Sequence, residues 1–125
     1  MNKLHRLSRA TAVLGLAMSL STVASLAQAH AKLKSTTPAA DSSVSSPKVI
    51  QVQFNEAVET KMSSIKLATS DGTVVAVMSM NDAKDPATLT VMPSEPLKAG
   101  LYKVTWSAVT DDGHKTQGTF SFTVQ

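Results

Sequence analysis

Apolar and polar residues alternate in several short stretches of the chain after residue 30. The clearest alternation spans residues 50–54, 102–108 and 119–124. Successive side chains of a β-strand point to opposite faces, so each stretch predicts a strand with one apolar face. Weaker alternation marks further candidate strands at Leu33, Ile65/Leu67, Val74/Ala76/Met78 and Leu89/Val91.

Turn-forming residues separate these stretches. They occur in segment 38–47, at Asp71-Gly72, at Asp85-Pro86, in segment 93–100 and at Asp112-Gly113. About seven short strands with a turn near every dozen residues are typical of an antiparallel β-sandwich. No long stretch keeps a helical period, although segment 56–63 could hold a single helical turn. The pattern therefore predicts one all-β domain of immunoglobulin-like type.

The first 29 residues differ in character from the rest. Lys3, Arg6 and Arg9 precede a charge-free apolar run, and Ala27-Gln28-Ala29 follows it. A basic start, an apolar run and small residues at the two positions read by signal peptidase are the pattern of a cleaved secretory signal. The run is also short for a transmembrane span of about 20 residues. We therefore expect a signal peptide at 1–29 and a mature domain at 30–125 that begins with His30.

Removal of this segment changes the charge of the chain. The whole sequence has 12 Lys+Arg and 9 Asp+Glu, and the segment holds three of the basic residues and no acid. Residues 30–125 are thus formally neutral, which argues against a nucleic-acid or anionic-membrane partner. The sequence has no Cys, so thiolate metal sites and Cys nucleophiles are excluded.

Two histidines survive the predicted cleavage, His30 and His114. A chain that begins with His30 offers a free α-amine and an imidazole on one residue, and both nitrogens deprotonate near neutral pH. Asp112 and His114 are spaced i, i+2, which places both side chains on one face of an extended backbone. Nitrogen and carboxylate donors in a tetragonal arrangement suit Cu(II). If the two regions meet, the residues predict a metal site; otherwise His114 is an ordinary loop residue.

The remaining candidate residues have simpler interpretations. Met78 and Met80 lie in an alternating apolar stretch, and we interpret the four methionines after residue 30 as core packing rather than as a Cu(I) site of thioethers. Glu56 follows a predicted strand and has no acidic partner nearby in sequence, which favours an exposed turn carboxylate. No Gly-x-Ser-x-Gly nucleophile motif occurs. The methionines after residue 30 are Met62, Met78, Met80 and Met92.

Three blocks of residues 30–125 resemble the CopC family of periplasmic copper-binding proteins. The first is HAKLKSTTPA at residues 30–39. The second is VQFNE at residues 52–56, in which Asn55 replaces the usual Ser. The third and most specific is PLKAGLYKVTWSAVTDDGHKTQGTFSFTV at residues 96–124. The resemblance covers essentially the whole predicted mature domain.

The resemblance implies a fold, a site and a partner. It implies a Greek-key β-sandwich or barrel with a Cu(II) site built from His30, Asp112 and His114. Glu56 lies near that site in the family and is carried over as a neighbour or weak oxygen ligand. A CopD-type inner-membrane copper transporter is the implied partner. Segment 68–85 lacks the histidine and most of the methionines of a Met-rich Cu(I) segment, which puts a second copper site in doubt.

We therefore expect a monomeric, exported Cu(II)-binding protein that sequesters or delivers copper in the periplasm, and not an enzyme. Two alternatives remain at this point. Copper sites with a terminal His also serve enzymes that cleave polysaccharides oxidatively, but this chain is short and poor in the aromatic residues that such a surface needs. The other alternative is an exported β-sandwich that binds no metal and only contacts other proteins.

Overall fold

The structure is a computed structural model that describes residues 31–125, which form nine β-strands. The predicted signal peptide 1–29 and the predicted ligand His30 lie outside the described residues. No helix with the length and hydropathy needed to cross a bilayer occurs in the part that is described. The strands are β1 (Leu33–Thr37), β2 (Ser43–Val44), β3 (Ile50–Phe54), β4 (Ser64–Thr69), β5 (Val74–Val75), β6 (Val77–Ser79), β7 (Thr88–Pro93), β8 (Gly100–Val109) and β9 (Lys115–Val124).

The strands form two sheets. One sheet has the order β1-β3-β7-β6, and the other has the order β2-β9-β8-β4-β5. All pairs are antiparallel except the short parallel pair of β2 with β9. This arrangement confirms the predicted all-β sandwich. The strand count is higher than predicted because the short strand β2 had no alternating pattern and because the stretch around Val74–Met78 forms two strands.

The core lies between the two sheets, and the strongest sequence patterns predict its residues correctly. Ile50, Val52 and Phe54 are buried, as are alternate residues along β8 and β9. Each large apolar side chain removed from water contributes about 1.5–3 kcal/mol to folding, before entropy is counted. Near one end of the core, Phe54 meets Trp106 edge to face with 5.1 Å between ring centroids. This contact places the end of β3 against the middle of β8.

The prediction that Met78 and Met80 pack in the core is wrong. Their exposed fractions are 52% and 49%, while Val75 and Val77 pack against the core instead. The chain leaves the five-stranded sheet after β5 and enters the four-stranded sheet at β6. The side chains predicted to face the core therefore face solvent, and the alternate side chains face the core. A shift of one residue moves every side chain to the other face. Met62 is also exposed, at 67%.

The segment between β3 and β4 contains no helix. It holds a hydrogen-bonded turn in which the amide of Met62 donates to the carbonyl of Glu59 at 3.0 Å. The amide of Glu59 donates in turn to the carbonyl of Val109 at 2.7 Å, where β8 ends. This bond fixes the segment after β3 beside the loop that joins β8 and β9. The end of β3 and the 110–114 loop therefore lie at the same end of the molecule.

Candidate metal centre

The loop that joins β8 to β9 is a tightly hydrogen-bonded turn of residues 110–114. The amide of Thr110 donates to the carbonyl of His114, and the amide of Gly113 donates to the carbonyl of Thr110, both at 2.9 Å. Gly113 has a φ of 83°, a conformation that costs glycine little. The hydroxyl of Thr110, a buried residue, donates to Asp112 Oδ1. The turn therefore has a defined shape that depends on its own residues.

This turn brings Asp112 and His114 together. Asp112 Oδ2 lies 2.8 Å from His114 Nδ1, and the side chains are 49% and 57% exposed. The amide of His114 also donates to Asp112 Oδ1 at 3.3 Å. The prediction that the two residues share one face is met, but by a turn rather than by the extended backbone from which it was argued. A carboxylate that is hydrogen-bonded to one ring nitrogen fixes the tautomer and orientation of a metal-binding imidazole.

Hydrogen bonds keep the Asp112 carboxylate charged. The hydroxyl of Thr110 is the main cause of a lowered pKa of Asp112, and the backbone amide of His114 adds to it. Donors to a carboxylate favour its ionised form. Asp112 is therefore held in the charged form that a metal ion or a cationic partner would need.

Glu56 lies beside this turn and is half-buried, which differs from the exposed turn carboxylate that its sequence context favours. Its Oε1 atom is buried and has no hydrogen-bond partner among residues 31–125. Glu56, Ala57 and residues 110–112 line an open pocket of about 380 Å³. A buried carboxylate oxygen without a donor is costly unless a cation or water satisfies it. The structure therefore brings Glu56 into the same site as Asp112.

Another acidic residue, Glu59, lies close to Asp111, which lines the pocket. Hydrogen bonding and charge from Asp111 raise the pKa of Glu59. A neighbouring carboxyl disfavours the charged form of Glu59, and the charge of Lys61 partly offsets this effect. No three His, Cys, Asp or Glu side chains within residues 31–125 are grouped so as to hold a metal ion by themselves.

The described chain starts at this same end. Ala31 is 2% exposed, and its carbonyl accepts a hydrogen bond of 3.1 Å from Thr116 Oγ1, two residues after His114. Lys32 is bonded to Asn55, the neighbour of Glu56. Asp112, His114 and Glu56 are therefore gathered beside the start of the described chain. The position of His30 itself stays a prediction.

Sequence reasoning missed three residues of this region. Thr110 shapes the turn, and its spacing from Asp112 and Gly113 in a Thr-x-Asp-Gly pattern is a signal for a side-chain-bonded turn. The other two residues are Asn55 and Thr116, which bind the backbone at the start of the described chain. Their partners lie 23 and 85 positions away in sequence, so no local pattern marks them.

Comparisons with known proteins identify relatives that cover most of the chain. The chain is 38% identical over 110 residues to copper resistance protein C of Escherichia coli, which covers 82% of this chain and 87% of that protein. The crystal structure of PcoC, a methionine-rich copper resistance protein from Escherichia coli, matches with a TM-score of 0.73 and 40% identity, over 78% of this chain and 100% of that one.

A longer protein also matches. The copper transport protein CutJ of Bacillus subtilis is 32% identical over 98 residues, which are 77% of this chain but 18% of that protein. The family model for the CopC domain matches residues 33–125, that is, all nine strands of the sandwich together with the turn that holds Asp112 and His114. The chain therefore belongs to the CopC domain family.

Proposed function

We propose that this protein binds one Cu(II) ion at the end of the sandwich where the described chain starts. The observation that carries the proposal is the hydrogen-bonded pair of Asp112 and His114, which lies beside that start. The 38% identical relative from Escherichia coli is a copper resistance protein, and this supports copper as the metal.

The donors suit Cu(II) better than other metals. His114 would supply an imidazole nitrogen and Asp112 a carboxylate oxygen. His30 would supply its α-amine and its imidazole, two nitrogens that one residue can place on one ion. Mixed nitrogen and oxygen donors in a tetragonal arrangement favour Cu(II), whereas Cu(I) prefers thioethers and thiolates. Glu56 would accept a hydrogen bond from a metal-bound water or act as a weak ligand.

The α-amine of His30 exists only if the chain is cut before this residue. Until then the nitrogen belongs to a peptide bond and is not an amine donor. Export, cleavage of residues 1–29 and formation of the site are therefore coupled in this proposal, which places the working protein in the periplasm. The copper ion is cargo, captured and released without turnover, and the protein is not an enzyme.

A partner that moves copper across a membrane fits this role. The segment of CutJ that matches this chain belongs to a longer copper transport protein, so a domain of this family occurs within a transporter. We infer that a CopD-type inner-membrane copper transporter receives copper from this protein. The protein acts as a monomer, and its task is sequestration or delivery of copper.

The test compares two forms of the protein, one that starts at His30 and one with a single glycine before His30. We expect one tight stoichiometric Cu(II) site in the first form, measured by electron paramagnetic resonance and by the fluorescence of Trp106. The second form lacks the His30 amine but keeps both imidazoles, and we expect at least about tenfold weaker binding. Equal binding by both forms would contradict the role of the amine. No stoichiometric site in the first form would contradict the copper proposal itself.

A further inference from the structure

Three hydrogen bonds hold the first two residues of the described chain. Asn55 makes two of them with Lys32. Its side-chain Oδ1 accepts from the backbone amide of Lys32 at 2.8 Å, and its backbone amide donates to the carbonyl of Lys32 at 2.9 Å. Thr116 Oγ1 donates the third, to the carbonyl of Ala31 at 3.1 Å. The side chain of Ala31 is 2% exposed. We call Asn55, Thr116 and these contacts the anchor.

The anchor lies where the pairing of β1 with β3 ends. The register between β1 and β3 shifts between Leu33 and Ser35, and Leu33 with Phe54 is the last pair of the ladder. Backbone beyond the last ladder pair frays unless other groups hold it. Asn55 directly follows Phe54, and its reciprocal bonds with Lys32 extend the pairing by one step beyond the strand. The Asn55 side chain thus replaces a ladder partner that β3 does not provide.

The two side chains of the anchor come from the same two segments that supply the side chains of the candidate metal site. Asn55 is adjacent to Glu56 on the segment after β3. Thr116 is two residues after His114, on β9. Both bind the backbone that immediately follows His30 in the chain. The anchor therefore fixes where the chain enters the site, relative to both groups of metal-binding side chains.

We propose that Asn55, together with Thr116, is a positioning residue that holds the start of the mature chain ready for the metal. The inference rests on the proposed function, because it assigns the anchor to the same site. A ligand at the end of a mobile chain must be ordered when the metal binds, and each ordered residue costs conformational entropy. The anchor makes that ordering part of folding, so the affinity for copper depends on residues that do not touch the ion.

The test uses the protein that starts at His30. Asn55→Ala removes the Oδ1 acceptor and leaves the backbone bond of residue 55 in place. We expect the amide of Lys32 to exchange with solvent several-fold faster in the metal-free variant, measured by NMR. We also expect the Kd for Cu(II) to rise about tenfold, as for other partners that orient metal ligands. The electron paramagnetic resonance spectrum should broaden because the chain start becomes heterogeneous.

Asn81→Ala is the matched control. Asn81 Oδ1 also accepts a hydrogen bond from a backbone amide, that of Thr90, at 2.9 Å, and Asn81 lies at the β6 edge of the same sheet. Its loss should lower stability to a similar degree without changing the Kd for Cu(II) or the exchange of Lys32. Asn55→Asp keeps an oxygen acceptor and should restore slow exchange of the Lys32 amide. If Asn55→Ala fails to fold, Thr116→Val removes the other side of the anchor and is expected to raise the Kd as well.

Two results would overturn this inference while leaving the proposed function intact. One is an unchanged Kd in Asn55→Ala although Lys32 exchanges faster. The other is an equal rise of the Kd in Asn81→Ala, which would show a general effect of lost stability. A parent protein that binds no Cu(II) would instead contradict the proposed function, and the exchange of Lys32 would still report whether the anchor exists.

Discussion

Residues 69–73 and residues 110–114 form the same turn at opposite ends of the sandwich. Their sequences, TSDGT and TDDGH, share the spacing Thr-x-Asp-Gly-x. In each turn the threonine hydroxyl donates to the aspartate, and the amide of the fifth residue donates to the same carboxylate, at 3.0 Å in the first and 3.3 Å in the second. The two glycines have φ values of 89° and 83°. The same turn therefore forms with either threonine or histidine as its fifth residue.

Two differences separate a structural turn from a candidate metal site. The fifth residue is Thr73 in one turn and His114 in the other. The turns also have different neighbours, since Thr69 pairs with Tyr102 and Val109 pairs with Lys115. At about 3.3 Å per residue along β8, the turns are roughly 25 Å apart. Only the 110–114 turn has a histidine and lies beside the start of the described chain, so of the two turns only this one is a candidate for metal binding.

Exchange of the fifth residue tests this comparison most strongly. His114→Thr converts the second turn into a copy of the first, and the first turn shows that threonine fits there. We expect normal folding, with little change in the melting temperature. The affinity for Cu(II) should fall by more than about 100-fold, because a direct ligand contributes at least as much as the groups that orient it. Retention of tight binding, measured by competition titration, would show that His114 is not a ligand.

The reciprocal change, Thr73→His in the His114→Thr background, asks whether the turn alone is enough. It recreates the Asp-x-His pair of the 110–114 turn in residues 69–73. We expect no tight Cu(II) site, because the end of the molecule that holds residues 69–73 lacks both the start of the described chain and the carboxylates near Glu56. Recovery of the native affinity would mean that the turn is sufficient by itself, and that the neighbourhood of residues 110–114 has no special role.

The aspartates provide a matched pair with a smaller effect. Asp112→Asn and Asp71→Asn each keep an oxygen that can accept from the threonine and from the fifth amide, but both lose the charge. We expect similar small decreases in melting temperature for the two variants. Only Asp112→Asn should weaken Cu(II) binding, by about tenfold. Calorimetric titration of both variants checks this, and equal copper affinities for the two would remove Asp112 from the site.

Protonation of Asp71 and Asp112 in acid is expected to have the smallest effect of these changes. The hydroxyl of Thr69 and then the amide of Thr73 lower the pKa of Asp71 to about 2. The hydroxyl of Thr110 and then the amide of His114 also lower the pKa of Asp112. A lowered pKa in the folded state stabilises the fold above the ordinary pKa of about 3.9. For Asp71 this stabilisation is lost as the pH falls from about 4 towards 2 and the carboxylate becomes protonated. For Asp112 it is lost below the ordinary pKa of an aspartate.

Carboxyl chemical shifts measured by NMR in the metal-free protein would follow both aspartates. Thr69→Val and Thr110→Val should move the corresponding pKa values back towards about 3.9. Copper should be released as the pH falls, because protons compete with the metal ion for its donor atoms. An ordinary pKa for Asp71 in the unmodified protein would show that the shared hydrogen bonds do not form in solution.

Much of the fold could be predicted because alternation reports burial directly. Residues 50–54, 102–108 and 119–124 each have one face in the core, so their patterns identify both strand and phase. Prediction failed around Val74–Met78. The pattern there was genuine, but the chain changes sheets at Ala76, and only the tertiary structure decides which face turns inward. Val75 and Val77 face the core, so Val74 and Met78 are exposed on both sides of that change of sheet.

One part of the candidate site could likewise be predicted from the sequence, and another part could not. The sequence by itself determined the contact of Asp112 with His114, because hydrogen bonds within five residues depend on local spacing and on the conformational freedom of Gly113. It also determined the family, through patterns that span residues 33–125. Only the tertiary structure decided that Glu56, Asn55 and the start of the chain lie beside that turn. Thr116 and Ala31 are 85 positions apart in sequence, and their contact exists because the segment before β1 lies against the start of β9, in the other sheet.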